Sequence, residues 1–448
     1  MLLASFALLL GLSTHLQEQP RQEERKRLLH LVSISHPERR EKQLAILLKA
    51  FPGDSLVWEA RVRRLPRPLL PLPDLQGGKI HRRKVEVFLG KKEGMTEREV
   101  LVYPPRNYDS KNKYPLLLAM HGSGGNAQNQ VLQWRGLADR FQFIVVAGTG
   151  KGTERGYGFS DAERQAELST LRYALIHLPI DSNRIFLGGT SRGGHLSWDL
   201  GLRFPDRWAG IAPMIGGPRL TTRFGQNNLR LLDNLWGVPI LDLQGLKDDP
   251  GLLWNLRYAF ETFRRNQAPN KIFFTFPQLG HRYDMSKAPW KAFFSSGLRN
   301  PLPQRILFRC SRRDQARSFW FRATRLDPRK VQDSVGIAIS PRKWKRMNLE
   351  AKRVLFAKKA LERTAKIEAS WKRVHNNPQF RIRTRGVTHF ELLLPKKLLP
   401  SDPKHKLLVH WNSSKKRLQG VLSARRFLLD WLERLDLETA PLLVLKWR

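Results

Sequence analysis

One cysteine, Cys310, stands among the 448 residues, so no internal disulfide can form. The 12 histidines nowhere join it at zinc-ligand spacing, and the sequence asks for neither a metal nor a cofactor. No apolar run is long enough to span a bilayer, and no propeller-sized repeat precedes the central region. Acidic side chains are also scarce: Asp plus Glu number 39 against 80 Lys plus Arg, a formal charge of +41. Such a field attracts nucleic acid, anionic lipid or acidic polysaccharide. The basic residues are spread over the whole chain, however, with Arg21–Arg27, Arg82–Lys84, Arg342–Arg346 and Lys352–Lys359 only denser patches. No zinc-finger or RNP motif accompanies them, so nucleic acid is not an expected partner; an anionic cell-envelope or polysaccharide surface is the other use such charge could have.

What the chain does contain divides it into four stretches. Leu2 to Leu12 is apolar, and Gly11 and Ser13 supply small residues for a cleavage site, although a positive n-region is missing. The expectation is a signal peptide over 1–13 and a secreted or periplasmic protein, with a buried N-terminal helix in a cytoplasmic protein as the alternative. Residues 14–78 read as a helical prelude broken at Pro37 and Pro52-Gly53, then a stiff linker carrying Pro66, Pro68, Pro71 and Pro73. Residues 79–300 alternate strands and helices in the manner of a mostly parallel, doubly wound sheet. An antiparallel pair, Val85–Leu89 and Arg98–Tyr103, leads into buried runs at Tyr114–Met120 and Phe141–Ala147, and later at Trp208–Ile215, Val238–Gly245 and Lys271–Phe276. Helical spacing over Asp161–His177 lies between them.

Residues 301–448 read as a basic, mostly β accessory domain. Strand-like runs occur at Arg305–Phe308, Ser318–Thr324, Val335–Ser340, Phe380–Thr384, Thr388–Leu394, Lys406–Trp411 and Leu442–Trp447. A long basic helix is expected over Met347–Arg373, with Val354, Leu355, Leu361, Ile367 and Trp371 as its apolar stripe. Trp320, Trp344, Trp371, Trp411, Trp431 and Trp447 could line a polymer site, but core packing is the expectation for so many indoles.

Chemistry enters at Gly189-Thr190-Ser191-Arg192-Gly193. An apolar β run precedes this G-x-S-x-G and a helical pattern follows, the context of a turn so tight that only small neighbours let the serine project. Ser191 is the candidate nucleophile. Upstream, the strand ending at Met120 delivers His121-Gly122-Ser123-Gly124-Gly125, a loop whose glycines let backbone N–H groups approach a developing oxyanion. Ser123 and Arg192 are the candidate oxyanion donors. Downstream, Asp248 follows the strand ending at Gly245, with Asp249 as the unresolved alternative and Asp242 assigned to structure. His281 follows the last strand of the region and completes the order Ser, Asp, His.

Taken together, these motifs resemble the α/β-hydrolase superfamily over roughly residues 80 to 300, specifically its esterase, polyhydroxybutyrate-depolymerase-like and prolyl-oligopeptidase-like members. More weakly, the C-terminal region resembles extensions beside hydrolases of planctomycete-type bacteria. The resemblance implies Ser191 as nucleophile, His281 as general acid/base, Asp248 as orienting acid, and no cofactor. It implies a serine hydrolase of small-molecule or polymeric carboxylic esters; a peptidase of prolyl-oligopeptidase type and a non-catalytic basic binding protein are the alternatives. Arg192 at the variable elbow position is expected to cap solvent or to favour an anionic acyl group.

Overall fold

The structure is a computed structural model that describes residues 22–150, 156–220, 226–336 and 339–447. The leader expected over 1–13 lies outside them. Three helices come first: α1 (22–33), α2 (Pro37–Ala50) and α3 (Ser55–Arg63). Pro37 occupies the first turn of α2, where its missing N–H costs nothing, and Asp54 caps α3 by accepting from the N–H groups of Leu56 and Val57.

Eight strands then form one sheet: β1 (His81–Phe88), β2 (Met95–Tyr103), β3 (Tyr114–Met120), β4 (Ile144–Gly148), β5 (Ile180–Thr190), β6 (Gly210–Met214), β7 (Ile240–Gly245) and β8 (Lys271–Phe276). Their order in space is β1-β2-β4-β3-β5-β6-β7-β8. β2 lies antiparallel to β1 and β4, and every other neighbouring pair is parallel. Between the strands run α4 (Ala127–Phe141), α5 (Asp161–His177), α6 (Arg192–Arg203) and α7 (Pro250–Arg265), with α8 (Trp290–Ser296) after β8. Alternation along the strands sends Leu116, Leu118 and Leu187 to one face, under α5, α6 and α7, and Leu117, Ala119 and Phe186 to the other, under α4 and α8. Both faces are therefore covered, which is why the central strands read as unbroken apolar runs. This is the α/β-hydrolase fold.

The remaining strands build two five-stranded sheets: β9 (Arg305–Cys310), β10 (Arg317–Ser318), β11 (Phe321–Leu326), β12 (Ala365–Val374), β13 (Asn377–Arg385), β14 (Val387–Leu394), β15 (Leu407–Trp411), β16 (Ser414–Leu418), β17 (Val421–Leu422) and β18 (Leu443–Trp447). One sheet has the order β10-β11-β14-β18-β17 and the other β16-β15-β13-β12-β9. A shared core of Phe308, Phe321, Ile367, Phe380, Phe390 and Leu445 joins them. Cys310 is buried there, and burial pushes its thiol up to about 12, far from nucleophilic use. Trp320, Trp431 and Trp447 are buried, while Trp371 and Trp411 pack against the same two-sheet core. Trp344 packs edge-on against Phe356.

Two expectations for this region need correction. Of the helix expected over Met347–Arg373 only α10 (Leu349–Glu362) forms; a short α9 (Pro341–Arg346) precedes it and β12 follows it. Ala365, Ile367 and Ala369 are buried at period two, and pairing with β9 and β13 on either side overrides the helical reading of the same apolar residues. Nor do the described residues of Val335–Ser340 form a strand; Ser340 instead caps α9.

The first three helices meet a helix from the C-terminal region. Leu28, Leu44, Trp58, Val62 and Leu69 pack with Phe427, Leu428 and Trp431 of α11 (Ala424–Arg434), and Ile176 of α5 joins them. The proline-rich stretch is thereby held against the sheet domain, with the N–H of Leu70 donating to the carbonyl of Ile176 at 3.1 Å.

Asp242 is one of the polar groups buried on the strands of the main sheet. On β7 it accepts from Trp198 Nε1 at 2.8 Å, its Oδ1 has no partner among the described residues, and burial raises its pKa well above the usual carboxylate value. The folded protein thus retains a proton that the unfolded chain loses above its ordinary pKa, so this group makes stability fall as pH rises. Asp242→Asn should therefore gain stability over the wild type as pH goes from 4.5 to 8, by up to about 1.4 kcal/mol per pH unit until the folded pKa is passed. Urea unfolding at the two pH values measures it; an advantage that shrinks with pH would contradict the assignment.

Candidate active site

Between β5 and α6 the chain reverses at Ser191, whose φ is 55° and ψ −109°. A non-glycine residue holds such a conformation only at a cost of about 1–3 kcal/mol. The neighbours explain both the strain and the glycines. A Cβ on Gly189 would lie 2.4 Å from the Gly193 carbonyl oxygen, one on Gly193 2.1 Å from that of Met120, and one on Gly194 2.6 Å from that of Met214. The N–H of Ser191 donates to Met214 O at 2.8 Å, so β3, β6 and α6 together wedge the serine outward.

The other two residues arrive on paired loops. A Cβ on Gly245 would fall 2.0 Å from Gly280 O, and the N–H of Lys247 donates to Leu279 O at 2.8 Å, so the loop after β7 and the loop after β8 run in contact. Within them His281 Nε2 lies 2.8 Å from Ser191 Oγ, and His281 Nδ1 lies 2.8 Å from Asp248 Oδ2. Asp248 also accepts from Gln244 Nε2 and from the N–H of Asp249, each at 2.7 Å. Burial would raise this carboxyl, but the bonds from Asp249 N–H, His281 and Gln244 outweigh it and leave the pKa lowered. Asp248, and not Asp249, meets the histidine. Asp249 caps α7 by accepting from the N–H of Leu252 at 2.7 Å.

The loop after β3 lies against the elbow. A Cβ on Gly122 would be 3.6 Å from Ser191 Cβ. His121 is buried with Nδ1 2.8 Å from Gly122 O and Nε2 accepting from the N–H of Gly150 at 3.1 Å; burial lowers its pKa, and the neutral ring holds the loop in place. Among the described residues the backbone N–H groups of Ser123 and Arg192 have no hydrogen-bond partner, and the latter opens α6. The Ser123 hydroxyl accepts from the N–H of Gly156 at 3.1 Å.

For the Arg192 side chain the structure requires a correction. It is buried, donates to Glu163 Oε1 at 2.8 Å and to Gly156 O at 3.2 Å, and so neither caps solvent nor is free for an acyl group. The same Glu163 also takes N–H groups of Gly158 and Ser160 at the start of α5. The arginine thus braces the loop around residues 156–160.

Several supporting residues carried no motif. Tyr283, two positions past His281, has its hydroxyl 2.7 Å from Thr190 Oγ1 and accepts from Gln133 Nε2 at 2.6 Å. The histidine loop is thereby tied to the elbow and to α4. Asp199 on α6 is wholly buried and accepts from Arg164, Arg203, Tyr157 and Asn228, each at 2.7 Å, which anchors the elbow helix. His195, the residue after Gly194, has Nδ1 2.6 Å from Gly217 O, and burial pushes its pKa down to about 4, so it is neutral. A cleft of about 790 Å³ opens over His195, Asp248 and His281. Among the described residues no group of three or more His, Cys, Asp or Glu side chains is placed to hold a metal ion, and no helix is long and apolar enough to cross a membrane.

No family model matches the chain. Over 182 residues it is 30% identical to the bifunctional acetylxylan esterase/xylanase XynS20E of Neocallimastix patriciarum, covering 38% of this chain and 25% of that protein. Over 132 residues it is 31% identical to an acetylxylan esterase of Coprinopsis cinerea, covering 25% of this chain and 35% of the relative. The chain thus spans only a quarter to about a third of the length of these two relatives. Among solved structures, a ferulic acid esterase aligns with 50% of this chain and 98% of its own, at a TM-score of 0.40 and 16% identity.

The strain at Ser191 is itself measurable. Ser191→Gly relieves the positive φ while adding backbone freedom to the unfolded chain, so a net gain of about 1 kcal/mol is expected. Denaturant midpoints of the two proteins test this; a loss of stability would mean that the serine conformation carries no strain.

Proposed function

Since the chain belongs to the α/β-hydrolase superfamily and has esterases among its relatives, we propose that it is a serine hydrolase cleaving carboxylic esters through an acyl-enzyme intermediate. The observation that carries this reading is the continuous hydrogen-bonded path from Ser191 Oγ through His281 to Asp248, with both links at 2.8 Å. In it His281 Nδ1–H donates to Asp248, which leaves Nε2 as the base facing the serine. His281 takes the Ser191 proton as Oγ attacks the ester carbonyl. The N–H groups of Arg192 and Ser123 receive the charge that develops on the carbonyl oxygen. His281 returns the proton to the leaving alcohol, and a water activated at the same nitrogen then releases the acid. Every step uses side chains and backbone of this chain.

The relatives' names make esters borne on polysaccharide the first substrates to try, and the open cleft suits an ester on a polymer. A secreted or periplasmic location accords with such a substrate.

A fluorophosphonate probe and a panel of short acyl esters test the reading. The wild type should label and turn over, and Ser191→Ala and His281→Ala should lose both. Asp248→Asn should lower kcat by about 10⁴-fold, whereas Asp249→Asn, whose new amide can still cap α7, should stay within roughly twofold. A wild-type protein that neither labels nor hydrolyses any ester would refute the assignment. Faster cleavage of peptides than of esters would move it to the peptidases.

A further inference from the structure

The cleft over His281 and Asp248 is also lined by Arg219 and Arg353. Arg219 follows β6, whereas Arg353 comes from α10, more than a hundred residues later and in the C-terminal region. Among the described residues neither forms an ion pair. Each guanidinium is instead laid on an aromatic ring: Arg219 over Phe159 with its Cζ 5.3 Å from the centroid, and Arg353 over Trp254 at 5.4 Å. Stacking of this kind holds the planar group while leaving its N–H fork free. Trp254 on α7 does more, since its Nε1 also donates to Glu350, one turn before Arg353, and so fixes α10 at the rim of the cleft. Gly251 keeps that rim open: a Cβ there would meet Arg353 Nη2 at 3.2 Å and Asp249 Oδ1 at 3.0 Å.

The carboxylates in the cleft are already engaged. Asp248 is bonded to His281, Gln244 and the N–H of Asp249, and Asp249 to the N–H of Leu252. Among the described residues neither guanidinium is ion-paired, and both offer N–H groups to a ligand in the cleft. A substrate carboxylate is the chemistry that matches them, because a carboxylate takes a guanidinium fork through two parallel bonds. The chain's net charge of +41 acts in the same direction at longer range, drawing polyanions toward the cleft.

We propose, resting on the esterase reading above, that the substrate is an ester bearing a negative charge, a carboxylate on its acyl or its alcohol part, which Arg219 and Arg353 bind while the ester carbonyl lies over Ser191. The C-terminal region then supplies a specificity residue to the site and is part of the substrate cleft. Arg219 and Arg353 take the part once considered for Arg192.

Three probes separate the possibilities: 4-nitrophenyl acetate is neutral, 4-nitrophenyl hemisuccinate carries its carboxylate on the acyl side, and 3-acetoxybenzoate on the alcohol side. For the side that the arginines serve, the ratio of kcat/KM for the charged over the neutral ester should fall roughly tenfold in Arg219→Gln and in Arg353→Gln, through KM and not kcat. Raising NaCl from 50 to 500 mM should lower the same ratio in the wild type and have less effect in the double variant. Binding of glutarate, followed by calorimetry, gives a readout that needs no turnover: the wild type should bind it, the double variant at least about tenfold more weakly. Unchanged ratios together with unaltered or absent glutarate binding would overturn the proposal. Ester turnover with unchanged ratios would leave the esterase reading standing and remove only this inference. Glutarate binding that the double variant loses, without ester turnover, would leave Arg219 and Arg353 as a carboxylate site and overturn the ester substrate together with the esterase reading.

Discussion

At Ser191 the backbone carries a φ of 55°, and nothing in the residue itself favours that value. The conformation persists because β3 and β6 approach the turn so closely that Gly193 and Gly194 have no room for a side chain. The sheet order follows the same demand: β5 must lie between β3 and β6 for both neighbours to press on the elbow. The buried carboxylate of Asp199, shared by Arg164 and Arg203, then holds α6 against the rest of the domain. A buried charge with several partners is costly to disturb, so the helix that presents the serine is anchored where desolvation makes loosening expensive.

The proposed triad depends on a second contact of the same kind. His281 is half-exposed and sits on a loop, which by itself would leave an imidazole free to wander. Gly245 and Gly280 let the two loops touch at backbone distance, and Tyr283 ties the far side of the histidine loop to Thr190. Neighbouring loops on adjacent parallel strands thus act as one support. The site lies at the carboxyl ends of β5, β7 and β8, where a parallel sheet fans its loops together.

Beyond the eight-stranded sheet domain the chain folds back on itself in two ways. α11 returns to the N-terminal helices, and its Trp431 completes a core that α1, α2 and α3 could not close alone. α10 returns to α7 and brings Arg353 to the cleft. The basic excess is accordingly not uniform in its meaning. Arg164, Arg192, Arg203 and Arg434 are buried against carboxylates, whereas Arg219 and Arg353 line the cleft, where the proposed substrate carboxylate would meet them.

The local pattern of the chain determined the doubly wound sheet, the glycine-flanked turn at Ser191 and the candidacy of His281. Buried parallel strands need unbroken apolar runs, and a turn with positive φ needs glycines at fixed offsets, so both leave marks within a few neighbouring residues. Asp248 and Asp249 left no such mark; in the fold Asp249 caps α7, and the loop after β8 brings His281 to Asp248. The stretch after Glu362 became β12 because strands on both sides offered it hydrogen bonds, a gain its own sequence could not register. Arg192 was turned inward by Glu163, and Arg353 was carried to the cleft from the far end of the chain. Such pairings depend on distances between residues far apart in sequence, and only the folded chain sets those distances.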